Sequence, residues 1–232
     1  MAGLIAAAGR YRPEALPDHP PFQSLARAIA HQQLHAAAAN SILGRFIKAC
    51  GDGGFPTPQQ VLDASDASLR SAGFSFAKIA ALKDLAAKTI SGVVPARAAL
   101  DTLSDLEIIE RLTAVRGIGR WTVEMMLMFQ LQRPDVLPVD DFGVRNGFRL
   151  AYRLSGMPRA HALARFGERW QPYRSLAAWY LWRANDLARA QLLPHGGRAP
   201  RVALQPLPKK RLGKSAKKKS LKKMPRKTAR KK

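Results

Sequence analysis

The most informative segment of the chain is Leu112-Thr-Ala-Val-Arg-Gly-Ile-Gly-Arg-Trp-Thr122. We interpret it as a hairpin over about residues 112–128, in which one helix ends, a tight Gly117-Ile118-Gly119 turn follows, and a second helix starts near Arg120. Glycine on both sides of the turn permits positive φ angles and a close approach to another molecule. Backbone N–H groups at the start of the second helix form an anion site that suits a phosphate. Ile118 would anchor the turn in the core, although a lone Gly-x-Gly also occurs in ordinary interhelix loops.

Two adjacent carboxylates follow this hairpin, in the segment Val136-Leu-Pro-Val-Asp-Asp-Phe-Gly-Val-Arg145. Pro138 stiffens the chain just before them, and the next helix is predicted to begin where they stand. An aspartate at a helix start is often only an N-cap, and one of the pair can serve in that way. A pair of acids beside an anion-binding hairpin also suggests chemistry, so both readings stay open for Asp140 and Asp141.

The rest of the chain reads as helical from Pro21 to about Gln191. Apolar residues recur at steps of three and four, without sustained period-two alternation, and glycines and prolines punctuate the pattern where helices should stop. Ser104 followed by Glu107 predicts a capping box. We therefore expect an all-α body over residues 20–205 with eight to ten short helices, after a loose N-terminal segment over residues 1–19.

Charge separates the body from a basic tail. The chain carries 39 Lys+Arg against 16 Asp+Glu, a net charge of +23. Fourteen of the basic residues and no acidic one lie in residues 209–232, so the preceding part keeps a net charge of +9. Such a field attracts polyanions, but a merely soluble basic protein would carry it too. We expect residues 206–232 to be disordered, either following DNA phosphates or only aiding solubility.

Several classes of protein are disfavoured by the composition. No apolar run reaches the roughly 18 residues of a membrane-spanning helix, and no basic stretch precedes the apolar start as in a secretory signal. The single cysteine, Cys50, cannot form an internal disulfide or an iron–sulfur or zinc cluster, and fits a reducing cytoplasm. His31 and His35 could share a helix face, but nearby residues suggest no third ligand, so no metal site is expected.

Taken together, the Gly117-Ile-Gly119 turn, Pro138 and Asp141 resemble the helix-hairpin-helix, Gly/Pro, Asp (HhH-GPD) signature of a DNA glycosylase superfamily. Arg-Trp-Thr at 120–122 and Leu-Pro-Val-Asp-Asp at 137–141 are most similar to its AlkA-type branch, the 3-methyladenine DNA glycosylases II. Ile29-Ala-His-Gln-Gln-Leu34 and Glu168-Arg-Trp-Gln-Pro-Tyr-Arg-Ser175 also resemble that branch, and the similarity covers about residues 20–193. It implies a two-lobe helical fold, without an N-terminal β lobe because only about 20 residues precede the helical body.

The resemblance also implies roles for individual residues. Asp141 would be the catalytic carboxylate and Asp140 its supporting acid or the helix cap. The base pocket would contain Trp121, Phe142 and Trp182, with Met125 where the branch can place a tyrosine. DNA would be bound by Gly117, Ile118, Gly119, Arg120 and Thr122 of the hairpin and by Gln33, with Leu34 second, as the wedge that fills the gap left by the base. Local hydrogen bonding at the helix end is the alternative for these amides.

The implied activity is the excision of alkylated purines from double-stranded DNA in base excision repair. 3-Methyladenine and 7-methylguanine are the expected bases, with ethenoadenine or hypoxanthine as further candidates. Trp121 stands where bifunctional relatives carry a Schiff-base lysine, so no lyase activity is expected. The resemblance further implies a bacterial, nucleoid-associated monomer without an organic cofactor, in which hairpin carbonyls could bind a monovalent cation. A catalytically silent DNA-binding protein and a glycosylase for other lesions are the alternatives.

Overall fold

The structure is a computed structural model that describes residues 1–12 and 17–193, and within these ranges it contains twelve α-helices, one 3-10 turn and no strand. The all-α prediction is confirmed, whereas the expected eight to ten helices were too few, because short turns of helix such as residues 58–63 and 66–71 were not separated. The helices are α1 (Ala2–Ala8), α2 (Pro21–His31), α3 (Ala36–Cys50), α4 (Pro58–Asp63), α5 (Asp66–Ser71), α6 (Phe76–Ile90), α7 (Arg97–Thr102), α8 (Asp105–Thr113), α9 (Arg120–Phe129), α10 (Phe142–Ala151), α11 (Ala160–Gly167) and α12 (Arg174–Arg189), with the 3-10 turn at Glu168–Trp170.

One group of helices is built around α6, on which α2, α4 and α5 pack. The apolar face of α6 buries Leu82 and Leu85 completely, and α2 contributes Leu25 and Ile29 to the same core. Burial of side chains of this size stabilises the fold by roughly 1.5–3 kcal/mol each. The start of α8 also behaves as predicted, since Ser104 and Glu107 form a capping box.

A second group is built around α12, against which α10, α1 and the 3-10 turn pack. A Cβ on Gly147 of α10 would overlap the carbonyl oxygen of Leu181, so glycine is required for this close approach of α10 to α12. Phe148, one residue later, is fully buried and contacts Tyr152 and Phe166 ring to ring. The two groups correspond to the two lobes that the resemblance implied.

The N-terminal segment corrects the expectation of a loose start. Residues 2–8 form α1, which packs on α12 and buries Leu4. The Tyr180 hydroxyl donates a hydrogen bond to the Gly9 carbonyl (3.0 Å), and Tyr11 meets Trp179 edge to face. A seven-residue helix is marginal alone, so docking on α12 accounts for its order.

Helix α9 contacts both lobes. It is followed by the loop that contains Asp140 and Asp141. Gln130, just after α9, bonds to Ser24 of α2, while Phe129 stacks on Trp182 of α12. The loop that follows is held by Ser175 of α12, whose hydroxyl donates to the Arg133 carbonyl (2.6 Å) and accepts the Val136 N–H (2.9 Å). These contacts set the position at which α10 begins.

The predicted disordered tail, residues 206–232, and the end of the predicted body lie outside the described residues. Of the helices in residues 1–12 and 17–193, none has both the length and the apolar character needed to cross a membrane.

Candidate active site

The α8–α9 hairpin presents a backbone surface of the predicted kind. Gly117 has φ +77°, a conformation that favours glycine, and Ile118 is buried beneath the turn, as expected. Gly119 caps α9 with an extended conformation (φ −92°), so only the first glycine needs its conformational freedom. No side chain caps the exposed start of α9, which leaves its first N–H groups available to an anion.

The turn is held from two sides by side chains distant in sequence. Asp84 of α6 accepts the Arg116 N–H (2.7 Å) and pairs with Lys88. Burial alone would raise the pKa of Asp84, but the hydrogen bonds from Arg116 and Lys88 outweigh it and lower that pKa. On the other side, Gln32 donates its side-chain amide to the Gly117 carbonyl (2.8 Å). The turn and the end of α2 therefore form one connected surface.

Three hydrogen bonds converge on the carboxylate of Asp141. Its Oδ1 accepts the Val144 backbone N–H (2.7 Å) and the indole N–H of Trp182 (2.8 Å), while Oδ2 accepts the indole N–H of Trp121 (2.8 Å). Asp141 is thus the N-cap of α10, and Asp140 is exposed. Of the two roles expected for Asp140, that of the helix cap is wrong, because Asp141 accepts the Val144 N–H at the start of α10. Its role as a supporting acid stays a prediction.

Glu124 is a third carboxylate of this region, and the sequence analysis did not single it out. It lies on α9 one turn after Arg120, is almost fully buried, and accepts a hydrogen bond from the Arg120 guanidinium (2.8 Å). Burial raises the pKa of Glu124; the Arg120 pairing opposes this shift, while the neighbouring charges of Asp140 and Asp141 add to it. Its signal in the sequence was an acid within the apolar run of α9.

A cavity of about 410 Å³ opens between α2 and α9. Of the four predicted pocket residues, Trp121 and Met125 line it, and Thr122, predicted to bind DNA, lines it as well. Phe142, which is 72% exposed, and Trp182 line a neighbouring groove of about 560 Å³ instead. Trp121 connects cavity and acid, because the same indole ring borders the cavity and donates its N–H to Asp141.

The predicted wedge residues lie in the junction between α2 and α3. Gln33 is exposed, adopts a left-handed conformation (φ +58°) and lines the mouth of the cavity, while Leu34 is 40% exposed. Lys78 of α6 fixes the junction by donating to the Ala30 and Gln32 carbonyls at 2.8 Å each. The Gln32 side chain thus has its partner at the hairpin, whereas the Gln33 side chain is exposed.

No cluster of three or more His, Cys, Asp or Glu side chains suitable for a metal ion occurs within the described ranges. His31 lines the cavity, and His35 precedes α3 at the junction. Arg120 is exposed at the start of α9 and pairs with Glu124. The groups that the structure brings together around the cavity and the hairpin are the Asp141 and Glu124 carboxylates, aromatic rings and backbone amides.

Comparison with known proteins identifies this arrangement. A family model described as HhH-GPD superfamily base excision DNA repair protein matches residues 26–172. The chain belongs to the HhH-GPD superfamily. DNA-3-methyladenine glycosylase 1 of Schizosaccharomyces pombe is 45% identical over 186 residues, 80% of this chain and 82% of that protein. DNA-3-methyladenine glycosylase 2 of Escherichia coli is 29% identical over 170 residues, 69% of this chain and 56% of that protein.

Solved structures give the same result for this HhH-GPD protein. The S. pombe 3-methyladenine DNA glycosylase in complex with abasic DNA matches with a TM-score of 0.70, covering 80% of this chain and 90% of that one. A DNA-3-methyladenine glycosidase of Bacillus halodurans, 37% identical, matches with a TM-score of 0.73 over 80% of this chain and 84% of that one. The prediction of a base excision DNA glycosylase of the AlkA-type branch is thereby confirmed.

Proposed function

We propose that this HhH-GPD protein is a monofunctional DNA glycosylase that excises alkylated purines, among them 3-methyladenine and 7-methylguanine, by hydrolysis of the N-glycosidic bond. The observation that carries the proposal is Asp141, held by two indole N–H groups beside an aromatic-bordered cavity. The relatives reported above are named as 3-methyladenine DNA glycosylases or glycosidases, and their names support the same substrate class.

The chemistry follows from the charge that develops during bond breaking. Loss of a base leaves a sugar with oxocarbenium character, which an oriented carboxylate stabilises and whose attacking water it can orient. Asp141 is oriented before substrate arrives, because both of its oxygens accept hydrogen bonds from groups fixed on α9, α10 and α12. The hairpin amides would hold the phosphate backbone while the damaged base leaves the stack for the cavity.

The cavity favours cationic bases on electrostatic grounds. Alkylation at a ring nitrogen of a purine leaves the base positively charged, and an aromatic face attracts a cation by about 0.5–2 kcal/mol. Trp121 is 51% exposed, so its ring is available to such a base. Met125 offers a polarisable contact beside it. Normal bases lack this charge and gain less from the same surface.

The test compares two neighbouring acids. Asp141→Asn keeps an oxygen that can cap α10 but removes the charge, so release of 3-methyladenine and 7-methylguanine from methylated DNA should fall by about 10²–10³-fold while DNA binding remains. Asp140→Asn is the matched control and should keep most of the activity. Equal release by the wild type and Asp141→Asn would refute the catalytic assignment. Release by neither, with DNA still bound, would favour a catalytically silent binding protein.

The range of lesions is ranked by duplexes that carry 3-methyladenine, 1,N6-ethenoadenine, hypoxanthine or 8-oxoguanine. We expect 3-methyladenine to be released fastest, and faster release of 8-oxoguanine would favour the alternative of a glycosylase for other lesions. Because position 121 is tryptophan, no amine is available there for a Schiff base, so strands should stay intact without heat or added base.

Other expectations remain predictions. The Gly117 carbonyl already accepts a hydrogen bond from the Gln32 amide, so a monovalent cation at the hairpin would need further carbonyls to converge. DNA binding by the basic tail, a monomeric state and a bacterial nucleoid-associated location likewise await direct measurement.

A further inference from the structure

Gln32 carries a side-chain amide to which the proposed mechanism gives no role. It is the C-cap of α2 and directly precedes Gln33, the proposed wedge. Its side-chain Nε2 donates to the carbonyl of Gly117 (2.8 Å), which lies 85 positions further along the chain. The end of α2 and the hairpin are thus joined by a direct hydrogen bond beside the wedge.

The peptide group that accepts this hydrogen bond is held on both edges. Its carbonyl, from Gly117, accepts the Gln32 amide. Its N–H, from Ile118, donates to the Val115 carbonyl (3.1 Å). The next residue, Gly119, is the N-cap of α9, whose first N–H groups are available to an anion. Gln32 is therefore fixed to the turn immediately before the phosphate-binding amides.

The backbone of Gln32 is also held, by a side chain of α6. Lys78 donates from Nζ to the carbonyls of Ala30 and Gln32, at 2.8 Å each. Gln33 follows directly, in a left-handed conformation (φ +58°). Since Gln33 is covalently joined to a residue that is fixed through its carbonyl and its side chain, the place of the Gln33 backbone depends on both contacts of Gln32.

We propose that Gln32 is a positioning residue that couples the phosphate-binding hairpin to the wedge at Gln33. This inference rests on the proposed excision of bases extruded from duplex DNA. A phosphate bound at the hairpin holds the strand relative to Gly117, and the Gln32 amide then keeps Gln33 in register with that strand. Extrusion needs both contacts at once, because the wedge must enter the stack while the backbone is held. A single strand has no paired stack to fill, so the coupling adds little there.

The experiment compares single-turnover release of 3-methyladenine from methylated duplex DNA and from the same DNA as single strands. Gln32→Met keeps the length of the side chain and removes the donor, so release from the duplex should fall by about 10-fold and release from single strands by less than about 2-fold. Gln59→Met is the matched control, because it removes an amide that bonds within α4 to Asp63, and it should leave both rates unchanged.

A double variant measures whether Gln32 acts through Gln33. Gln33→Ala removes the wedge, so adding Gln32→Met should lower duplex release by less than about 2-fold further. The Gly117 turn keeps its support from Asp84, which accepts the Arg116 N–H, so affinity for undamaged duplex should change by less than about 3-fold. Gln32→Asn keeps the amide but is one methylene shorter, and it repeats the test if methionine disturbs folding.

Each outcome separates the coupling from its rivals. A folded Gln32→Met variant with equal losses on duplex and single strands would overturn the proposal, because Gln32 would then act on the base or on the fold as a whole. Full additivity with Gln33→Ala would overturn it too. A wild type that releases no alkylpurine from either DNA would instead overturn the proposed function.

Discussion

The two sides of the cavity differ in how firmly their polar side chains are held. On the α9–α10 side, Asp141 accepts three hydrogen bonds from three different helices. On the α2–α3 side, Gln33 is exposed and adopts a left-handed conformation that non-glycine residues rarely take. The acid is preorganised by its neighbours, whereas the amide is kept in an unfavourable conformation at the cavity mouth. The difference matches the proposed roles, since catalysis by Asp141 requires a fixed group and a wedge at Gln33 requires an exposed one.

The largest effect is expected when the hydrogen bonds from the two indole rings to Asp141 are removed. Replacing both Trp121 and Trp182 by phenylalanine keeps aromatic rings but removes the two indole donors to Asp141. We expect 3-methyladenine release under single-turnover conditions to fall by about 10²-fold, because small misplacement of a catalytic group has effects of that size. Trp179→Phe, whose ring contacts Tyr11 and Tyr180 and not the acid, is the control. Wild-type rates in the double variant would show that the indoles do not position Asp141.

A smaller effect is expected at Gln33 on the α2–α3 side. Replacement by glycine should there lower activity and raise stability. Gln33→Ala and Gln33→Gly both remove the proposed wedge, so excision from duplex DNA should fall by about 10-fold with little change on single strands. Glycine also relieves the left-handed conformation, so Gln33→Gly should be more stable than Gln33→Ala by about 1 kcal/mol. Urea unfolding gives the second quantity. Equal stability of the two variants would mean that the junction stores no strain.

The predictable and unpredictable features of the site differ for a physical reason. The Gly117 turn and the burial of Ile118 could be predicted because they are local features, which a few adjacent residues determine. The contacts of Glu124 and Gln130 could not be predicted from the sequence, because the role of an acid or amide in an apolar helix depends on the residues that pack against it. Ser24 and Gln130 are 106 residues apart in the chain, and only the fold brings them together.

The same limit applies to the N-terminal helix and to the acid pair. The alanine-rich start favours helix, but the contacts that order α1 come from Leu4 and from Tyr180 of α12. Asp140 and Asp141 are chemically identical in the sequence. The sequence leaves capping and catalysis as alternative roles for them, whereas in the structure Asp141, the residue proposed to be catalytic, is also the cap.

Glu124 on α9 is expected to make the stability of the protein depend on pH. Because the pKa of Glu124 is raised, the folded protein keeps the Glu124 proton at a pH at which the unfolded chain has lost it. The stability of the fold therefore decreases as the pH rises above 4.5, the pKa in the unfolded chain. Glu124→Gln removes that ionisation and keeps an acceptor for Arg120. We expect the variant to be more stable than the wild type by about 1 kcal/mol at neutral pH, with the gain disappearing below pH 4.5. A gain that does not depend on pH would contradict this assignment.

The smallest effect is expected at Asp84, which supports the hairpin turn between the two sides. Its lowered pKa has the opposite sign, so the stability it contributes is present above the unfolded value of 3.8 and is lost as pH falls through the folded pKa. Asp84→Asn should lower the free energy of unfolding by less than about 1 kcal/mol near neutral pH, because the Asp84 side chain is 29% exposed and its pairing with Lys88 is screened. High salt and acidic pH should each reduce the difference from the wild type. The asparagine oxygen can still accept the Arg116 N–H, so the hairpin should keep its position and the rate of excision should not change. A marked loss of excision in this variant would show that the charge of Asp84, and not only its hydrogen bond, is needed to hold the turn in place.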